Sequence, residues 1–211
     1  MKHLIIIGAG GMGQQLAYDA TNCVGYGVDF DLKGFLDFPK NDWNEENFPP
    51  ILGLEDDYVI QPDDVFICSM GDVKKKRRCV ERIMQKGGEF ISLINKNVVL
   101  HPTVKVGKGV IISERASFGV NVEIGDFSFI QFDAIVGHHV RIGKFSRIDC
   151  RVVLVGGVVI EENATIHTNS IISHNVVVGD GAIVGAMSFV IRKVKPGTTV
   201  QGNPAKRIIY E

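Results

Sequence analysis

Between Ile94 and Val194 an apolar residue returns at every sixth position without a slip, and neither an ordinary helix nor a plain strand produces that spacing. The series runs Ile94, Leu100, Val106, Ile112, Phe118, Ile124, Ile130, Val136, Ile142, Ile148, Leu154, Ile160, Ile166, Ile172, Val178, Val184 and Val190. Four places after each member stands a small or β-branched residue, from Val98 through Ala116, Ser128, Ala164 and Ser188 to Val194. Helices repeat near 3.6 residues and strands at two, so a strict six demands a chain that turns a corner every six residues. A triangular parallel β-helix does this. Three hexads make one coil, so residue n lies under n+18, about 4.8 Å away along the axis. The aliphatic residue fills the interior beside the corner and the small one lets the chain bend. Glycine directly after the aliphatic (Gly107, Gly119, Gly125, Gly137, Gly143, Gly179, Gly185) is expected to serve turns of positive φ.

With 211 residues the chain has room for this solenoid and one small domain. The expected limits are 1–93 for the first domain, 94–195 for the solenoid and 196–211 for a C-terminal tail. A hydrophobic content of 45% supports a buried core, and a net charge of −1 gives no electrostatic reason to expect nucleic acid or an anionic membrane. The four cysteines (Cys23, Cys68, Cys79, Cys150) lack metal or redox spacing, and no pattern reads as a signal peptide or spanning segment. A cytoplasmic protein without membrane insertion is expected.

The first domain opens on the apolar run His3 to Ile7, then Gly8-Ala9-Gly10-Gly11-Met12-Gly13, then a helix from near Gln14. Strand, glycine loop and helix in that order fit G-x-G-x-x-G in the context it requires, with backbone N–H groups at a helix N-terminus to hold phosphate. Only about 90 residues precede the solenoid, enough for one mononucleotide half rather than the paired halves that grip NAD. A nucleotide or nucleotide-sugar phosphate is the expected ligand, against a glycine turn kept for packing. Further strands are expected at 33–36, ending in Asp37-Phe38; at 64–70, ending in Gly71-Asp72; and at 89–94. Residues 39–50 read as loop. Residues 73–86 read as a helix whose Lys74, Lys75, Lys76, Arg77 and Arg78 form a solvated basic face. Gly8, Asp37 and Gly71 then share the carboxyl edge of the sheet, where open α/β sheets bind ligands.

Within the solenoid, function must lie on outward columns spaced by eighteen. Ile135, Val153, Ile171 and Phe189 form an apolar outward column that predicts a subunit interface, and a triangular prism pairing its faces suggests a trimer. Val120, His138, Gly156 and His174 form a second column, with Asn121, His139, Gly157 and Asn175 beside it. His138 and His139 are therefore topped by two glycines, which predicts a side-chain-free gap above the imidazoles. Histidine suits general-base work near neutral pH. His138 is the expected base, His139 the partner on its second nitrogen, and His174 a structural residue. The close at Lys195-Pro196-Gly197 is followed by Gly202-Asn203-Pro204-Ala205-Lys206-Arg207, a basic pair that either meets a phosphate or is an ordinary charged tail.

The glycine-loop domain, the hexapeptide solenoid, the run Val136-Gly137-His138-His139-Val140-Arg141-Ile142-Gly143 and the closing Gly-Asn-Pro-Ala-Lys together resemble the sialic acid O-acetyltransferase and bacillosamine or perosamine N-acetyltransferase family. The resemblance covers essentially the whole chain. It implies a small Rossmann-like α/β domain followed by a left-handed parallel β-helix, a homotrimer, acetyl-CoA in the groove between neighbouring solenoids, no metal, and a nucleotide-linked amino sugar held by the N-terminal domain. It places substrate binding on Gly10, Gly11, Met12, Asp37, Phe38, Gly71 and Asp72, acetyl-CoA on Arg147, Thr168 and Ala186, and catalysis on His138 with His139. Thr168 and Ala186 differ by eighteen and so share a column. The acidic residue that usually follows the base is His139 here, and the histidine often found near the CoA is Arg147. N-acetylation of an amino sugar is the leading reading, with O-acetylation or a catalytically weakened sugar-nucleotide-binding trimer as alternatives. A metal site like that of the γ-class carbonic anhydrases is the remaining one; its third histidine would fall where Gly179 stands.

Overall fold

The protein is described from a computed structural model covering residues 1–208. It divides into two compact units, Met1–Lys96 and a second starting at Asn97. Of the tail expected at 196–211, residues 209–211 lie outside the described residues.

In the first unit β1 (Lys2–Ile7) buries its last four residues completely and feeds through the glycine loop into α1 (Gly11–Ala20). β2 (Phe30–Leu36), β3 (Ile51–Gly53), β4 (Asp64–Cys68), α2 (Val73–Gln85) and β5 (Glu89–Phe90) follow. The strands form one parallel sheet in the order β3-β2-β1-β4-β5. Every residue of β4 is buried, as expected of a parallel strand covered on both faces. The strand order reverses at β1, so the crevice of an open α/β sheet falls at the carboxyl ends of β1, β2 and β4.

Three local readings need correction. The helix after the glycine loop starts at Gly11, three residues earlier than expected, because the glycines themselves form its first turn. Residues 89–94 are two short strands, Glu89–Phe90 and Leu93–Ile94, rather than one. The basic run on α2 is not wholly solvated. Lys76 is only 4% exposed because positions 76, 79, 80 and 83 make the buried stripe of this helix.

In the second unit two-residue strands stack as parallel sheets, each residue pairing with the one eighteen further on. One sheet carries Lys105↔Glu123↔Arg141↔Val159↔Val177, another Ile111↔Phe129↔Arg147↔Thr165↔Ile183, and the third Ser117↔Ile135↔Val153↔Ile171↔Phe189. From Ile112 to Val190 every member of the apolar series is buried. The small residues four places on are buried too. At three of the serines the hydroxyl donates to a carbonyl fifteen residues on, Ser128 to Gly143, Ser146 to Glu161 and Ser170 to Gly185, at 2.8–2.9 Å, whereas the Ser188 hydroxyl accepts from the Gly202 N–H at 3.1 Å.

The corners are made differently from the sequence expectation. Positive φ falls not on the glycine after the aliphatic but two residues later, immediately before the small residue. Gly109, Arg115, Asn121, Phe127, Asp133, His139, Phe145, Arg151, Gly157, Asn163, Asn169, Asn175, Gly181 and Met187 all lie between 56° and 73°. A left-handed conformation costs an L-residue about 1–2 kcal/mol. Burying one aliphatic side chain contributes about 1.5–3 kcal/mol, so each hexad offsets its own corner. The glycines after the aliphatic serve close approach instead. A Cβ on Gly119 would lie 2.6 Å from the backbone nitrogen of His138, and one on Gly125 2.7 Å from that of Lys144.

The end of the solenoid is also more ordered than a tail. Thr199–Gly202 pairs parallel with Ile183–Val184 at a shortened step of sixteen residues, then turns back to pair antiparallel with Ala205–Arg207. Lys206 and Arg207 therefore lie on a strand.

Candidate active site

At the carboxyl edge of the first sheet the three glycines of the motif have different tasks. Gly8 takes φ +96°, which favours glycine, and a Cβ on Gly13 would lie 1.9 Å from the Gly8 carbonyl oxygen, so Gly13 is fixed by the close approach of α1 to the end of β1. Nothing lies within 4 Å of a Cβ built on Gly10 or Gly11, which leaves this backbone open to a ligand. Asp37, at the end of β2, accepts hydrogen bonds from the N–H of Ala9 at 2.7 Å and of Phe38 at 2.8 Å. Lys40 sits 3.8 Å from the same carboxylate and donates to the Ala9 carbonyl. Asp37 thus ties the glycine loop to the next strand end rather than standing free for a sugar hydroxyl. Met12 is half-buried and Phe38 is 70% exposed. Asp72, after the half-buried Gly71, caps α2 by accepting from the Lys75 N–H at 2.8 Å.

On the solenoid His138 and His139 occupy the two outward positions after Gly137, and both are exposed. His139 takes φ +59° as a corner residue. The Nδ1 atoms of the two rings lie 3.1 Å apart, with the rings at 84° to each other. One coil earlier Asn121, also a corner residue, brings its Nδ2 within 3.0 Å of His139 Nε2. The gap expected above the imidazoles is filled. A Cβ on Gly156 would lie 2.5 Å from Cε1 and 2.6 Å from Nε2 of His138, so the glycine makes room for the ring itself. Asn175 fills the other half, its Oδ1 lying 2.1 Å from where a Cβ on Gly157 would be. His174 is exposed, two coils further along.

The residues expected at acetyl-CoA are spread over successive coils. Arg147 is bound on one edge by Asp149, with Nε at 2.5 Å and Nη2 at 3.2 Å, which leaves Nη1 for an anion. Asp149 is 4% exposed and also meets Gln131 Nε2 at 2.9 Å and His167 Nδ1 at 2.9 Å. Ala186 is exposed and Thr168 half-buried; the Thr168 carbonyl accepts from the N–H of Met187, 3.0 Å away. Gln131, Asp149 and His167 are spaced by eighteen and were assigned no role above; extending the column rule to polar positions finds them. Asn121 was placed in its column but likewise given no task.

The cysteines are free thiols. Burial pushes Cys23 and Cys79 up to about 12, which removes them as nucleophiles at neutral pH. Among the described residues no group of three or more His, Cys, Asp or Glu is placed to hold a metal ion, and no helix is long and apolar enough to cross a membrane.

Known proteins share both halves of this chain. Residues 3–83 match the PglD N-terminal domain, and residues 157–192 match the bacterial transferase hexapeptide repeat. The chain is an acyltransferase whose first part is similar to the PglD N-terminal domain and whose second part is similar to the hexapeptide repeats of bacterial transferases. Among particular solved structures, the acetyltransferase domain of PglB from Neisseria gonorrhoeae is 25% identical, with 99% of this chain and 100% of that one covered at a TM-score of 0.88. The same domain is also known in complex with acetyl coenzyme A. Two more show the same fold. A point mutant of perosamine N-acetyltransferase from Caulobacter crescentus in complex with CoA and GDP-perosamine is 22% identical over 100% of this chain and 98% of that one, TM-score 0.90. WeeI from Acinetobacter baumannii is 21% identical over 99% and 100%, TM-score 0.88. No curated protein matches the sequence.

Proposed function

We propose that this protein transfers an acetyl group from acetyl-CoA to the amine of a nucleotide-linked sugar, as a cytoplasmic homotrimer with His138 as general base. The observation that carries the reading is the His138 imidazole, exposed on an outward column, laid over a glycine and bonded through Nδ1 to a second imidazole. That leaves Nε2 as the atom to meet an acceptor. A full-length structural match whose name is an acetyltransferase domain, solved with acetyl coenzyme A, supports the donor.

In the transfer, the acceptor nitrogen attacks the thioester carbonyl carbon, the N–C bond forms and the C–S bond breaks. His138 Nε2 takes the proton that the nitrogen sheds, and the departing thiolate is protonated in turn, so charge and protons balance. A base of this kind supplies about 10²–10⁴-fold. The open backbone at Gly10 and Gly11 suits the nucleotide phosphates, with Met12, Phe38 and Gly71 beside that edge. Asp37 and Asp72 act there mainly by shaping the loops they cap. Arg147 offers Nη1 to a CoA phosphate, and Thr168 and Ala186 line one column for its chain. The apolar column of Ile135 and Ile171, 50% and 41% exposed, supports the trimer.

Mass spectrometry of the purified protein with acetyl-CoA and a panel of nucleotide 4-amino sugars should yield an acetylated sugar nucleotide. His138→Ala should lower kcat by about 100-fold or more. A panel unmodified throughout overturns the reading. Turnover that survives His138→Ala removes the base assignment.

A further inference from the structure

The contact between His138 and His139 couples the tautomer of His138 to a residue one coil away. A neutral imidazole has one N–H donor and one lone-pair acceptor, so two Nδ1 atoms 3.1 Å apart require opposite tautomers. His139 cannot choose alone, because its Nε2 lies 3.0 Å from the Asn121 carboxamide. With the amide nitrogen facing it, as in the structure, Asn121 donates to His139 Nε2. His139 then carries its proton on Nδ1 and donates to His138 Nδ1. His138 is left with N–H on Nε2, the form that cannot accept a proton there. Turning the carboxamide over reverses every step. Asn121 Oδ1 accepts from His139 Nε2–H, His139 Nδ1 accepts from His138 Nδ1–H, and His138 Nε2 is left with its lone pair.

We propose that Asn121 is a positioning residue that sets the tautomer of His138 through His139, making an uncharged Asn-His-His relay with a resting and a base-competent state. This rests on the functional reading above and deepens it. Both Asn121 and His139 are left-handed corner residues in register, at φ +59°, so their side chains leave successive corners side by side. The backbone holds them there. The Asn121 N–H donates to Thr103 Oγ1 at 2.9 Å and the His139 N–H to the Val120 carbonyl at 2.9 Å. A carboxamide is nearly symmetric in shape, so the two states interchange by one side-chain rotation with no repacking. When His138 takes a proton on Nε2, its Nδ1–H already points at the His139 lone pair, and the charge is shared across the pair without a carboxylate.

Two substitutions separate the states. Asn121→Gly deletes the carboxamide and suits a positive φ. Asn121→Asp keeps the shape, tolerates the same backbone and can only accept. Imidazole ¹⁵N shifts of the whole protein read the tautomers directly, and steady-state kinetics read their consequence. Asn121→Asp should show His138 protonated on Nδ1 and bare on Nε2, whereas the wild type should show the Nε2–H form in part. Asn121→Gly should lower kcat by about 10-fold, a fraction of what the base itself supplies, with both KM values unchanged. Asn121→Asp should lie about 10-fold above the glycine variant. A His138 that keeps Nε2–H in Asn121→Asp, or equal kcat in the glycine and aspartate variants, overturns the relay. A wild type that acetylates nothing defeats the functional reading instead, and the nitrogen shifts still decide the relay.

Discussion

Gly156 is the residue on which the position of the proposed base, His138, turns. It is buried and its φ is not positive, so alanine meets no backbone objection. The added methyl would lie 2.5 Å from His138 Cε1, inside any real contact. Because the ring is exposed, it is the ring that yields. Gly156→Ala should lower kcat by about 100-fold through misplacement of the reacting nitrogen, leave KM nearly unchanged, and shift stability by about 1 kcal/mol. Gly157, its neighbour, gives the contrasting case. At φ +73°, with Asn175 Oδ1 2.1 Å from the new Cβ, Gly157→Ala should destabilise by about 1–3 kcal/mol. Urea midpoints and kinetic constants measured on both variants check the separation. At this scale the sequence names the right glycines by arithmetic, since Gly156 and Gly157 stand eighteen after the histidines. It does not say that the space they leave is already taken, because that depends on rotamers of His138 and Asn175.

At the scale of elements, β2 and β4, which lie on either side of β1 in the first sheet, are fastened together by side chains at the start of β4. Asp64 opens β4 with 4% exposure and accepts from Lys33 on β2 at 2.6 Å, from Tyr58 Oη at 2.7 Å and from the Gln61 N–H at 2.8 Å. Burial alone would raise its carboxyl, but these three donors, with Lys33 foremost, hold it below the usual carboxylate range. Burial would likewise lower Lys33, and its partners hold it above the usual amine value. A depressed carboxyl contributes stability that is present above the unfolded value, near 3.9, and is lost as pH falls through the folded one. Asp64→Asn should therefore cost about 3 kcal/mol at pH 7, a difference that narrows on acidification below about pH 4. Fluorescence of Trp43, the single tryptophan, packed on Phe35 and Phe48, reports this unit during urea unfolding.

The elements themselves were unevenly legible. The hexad series gives the solenoid coil by coil because each interior position must be apolar whatever lies outside. The glycine loop is legible for the same kind of reason: Gly8 and Gly13 are demanded by backbone geometry alone. The Asp64 triad is invisible in the sequence because its partners come from 31 residues upstream and from the preceding loop, and ion pairs carry no period. Lys76 misleads because five basic residues in a row look solvated until helical spacing puts the third of them in line with Cys79, Val80 and Ile83. The turn from Gly202 to Arg207 reads as a charged tail because two short strands leave no repeat to recognise.

For the whole molecule, the solenoid presents a column that its own fold leaves uncovered. Ser117, Ile135, Val153, Ile171 and Phe189 pair edge to edge along one sheet and face outward, with Ile135 50% and Ile171 41% exposed. A row of aliphatic and aromatic side chains in water forfeits about 25 cal/mol for each Å² that a partner would cover, and the centre of a subunit contact is where such residues gather. His138 stands three residues beyond Ile135 on the same turn of chain, so a neighbour seated on the column would border the base. Ile171→Glu places a charge in the middle of that row without touching the interior, where Ile172 is fully buried. It should convert the proposed trimer to a monomer in sedimentation, keep the β-rich circular dichroism spectrum, and lower kcat together with the loss of assembly. Val28→Glu, at a residue 78% exposed on the first unit, should sediment as the parent does. A parent that sediments as a monomer, or an Ile171→Glu protein that still sediments as a trimer, would remove this face from the assembly and leave the base bordered by solvent.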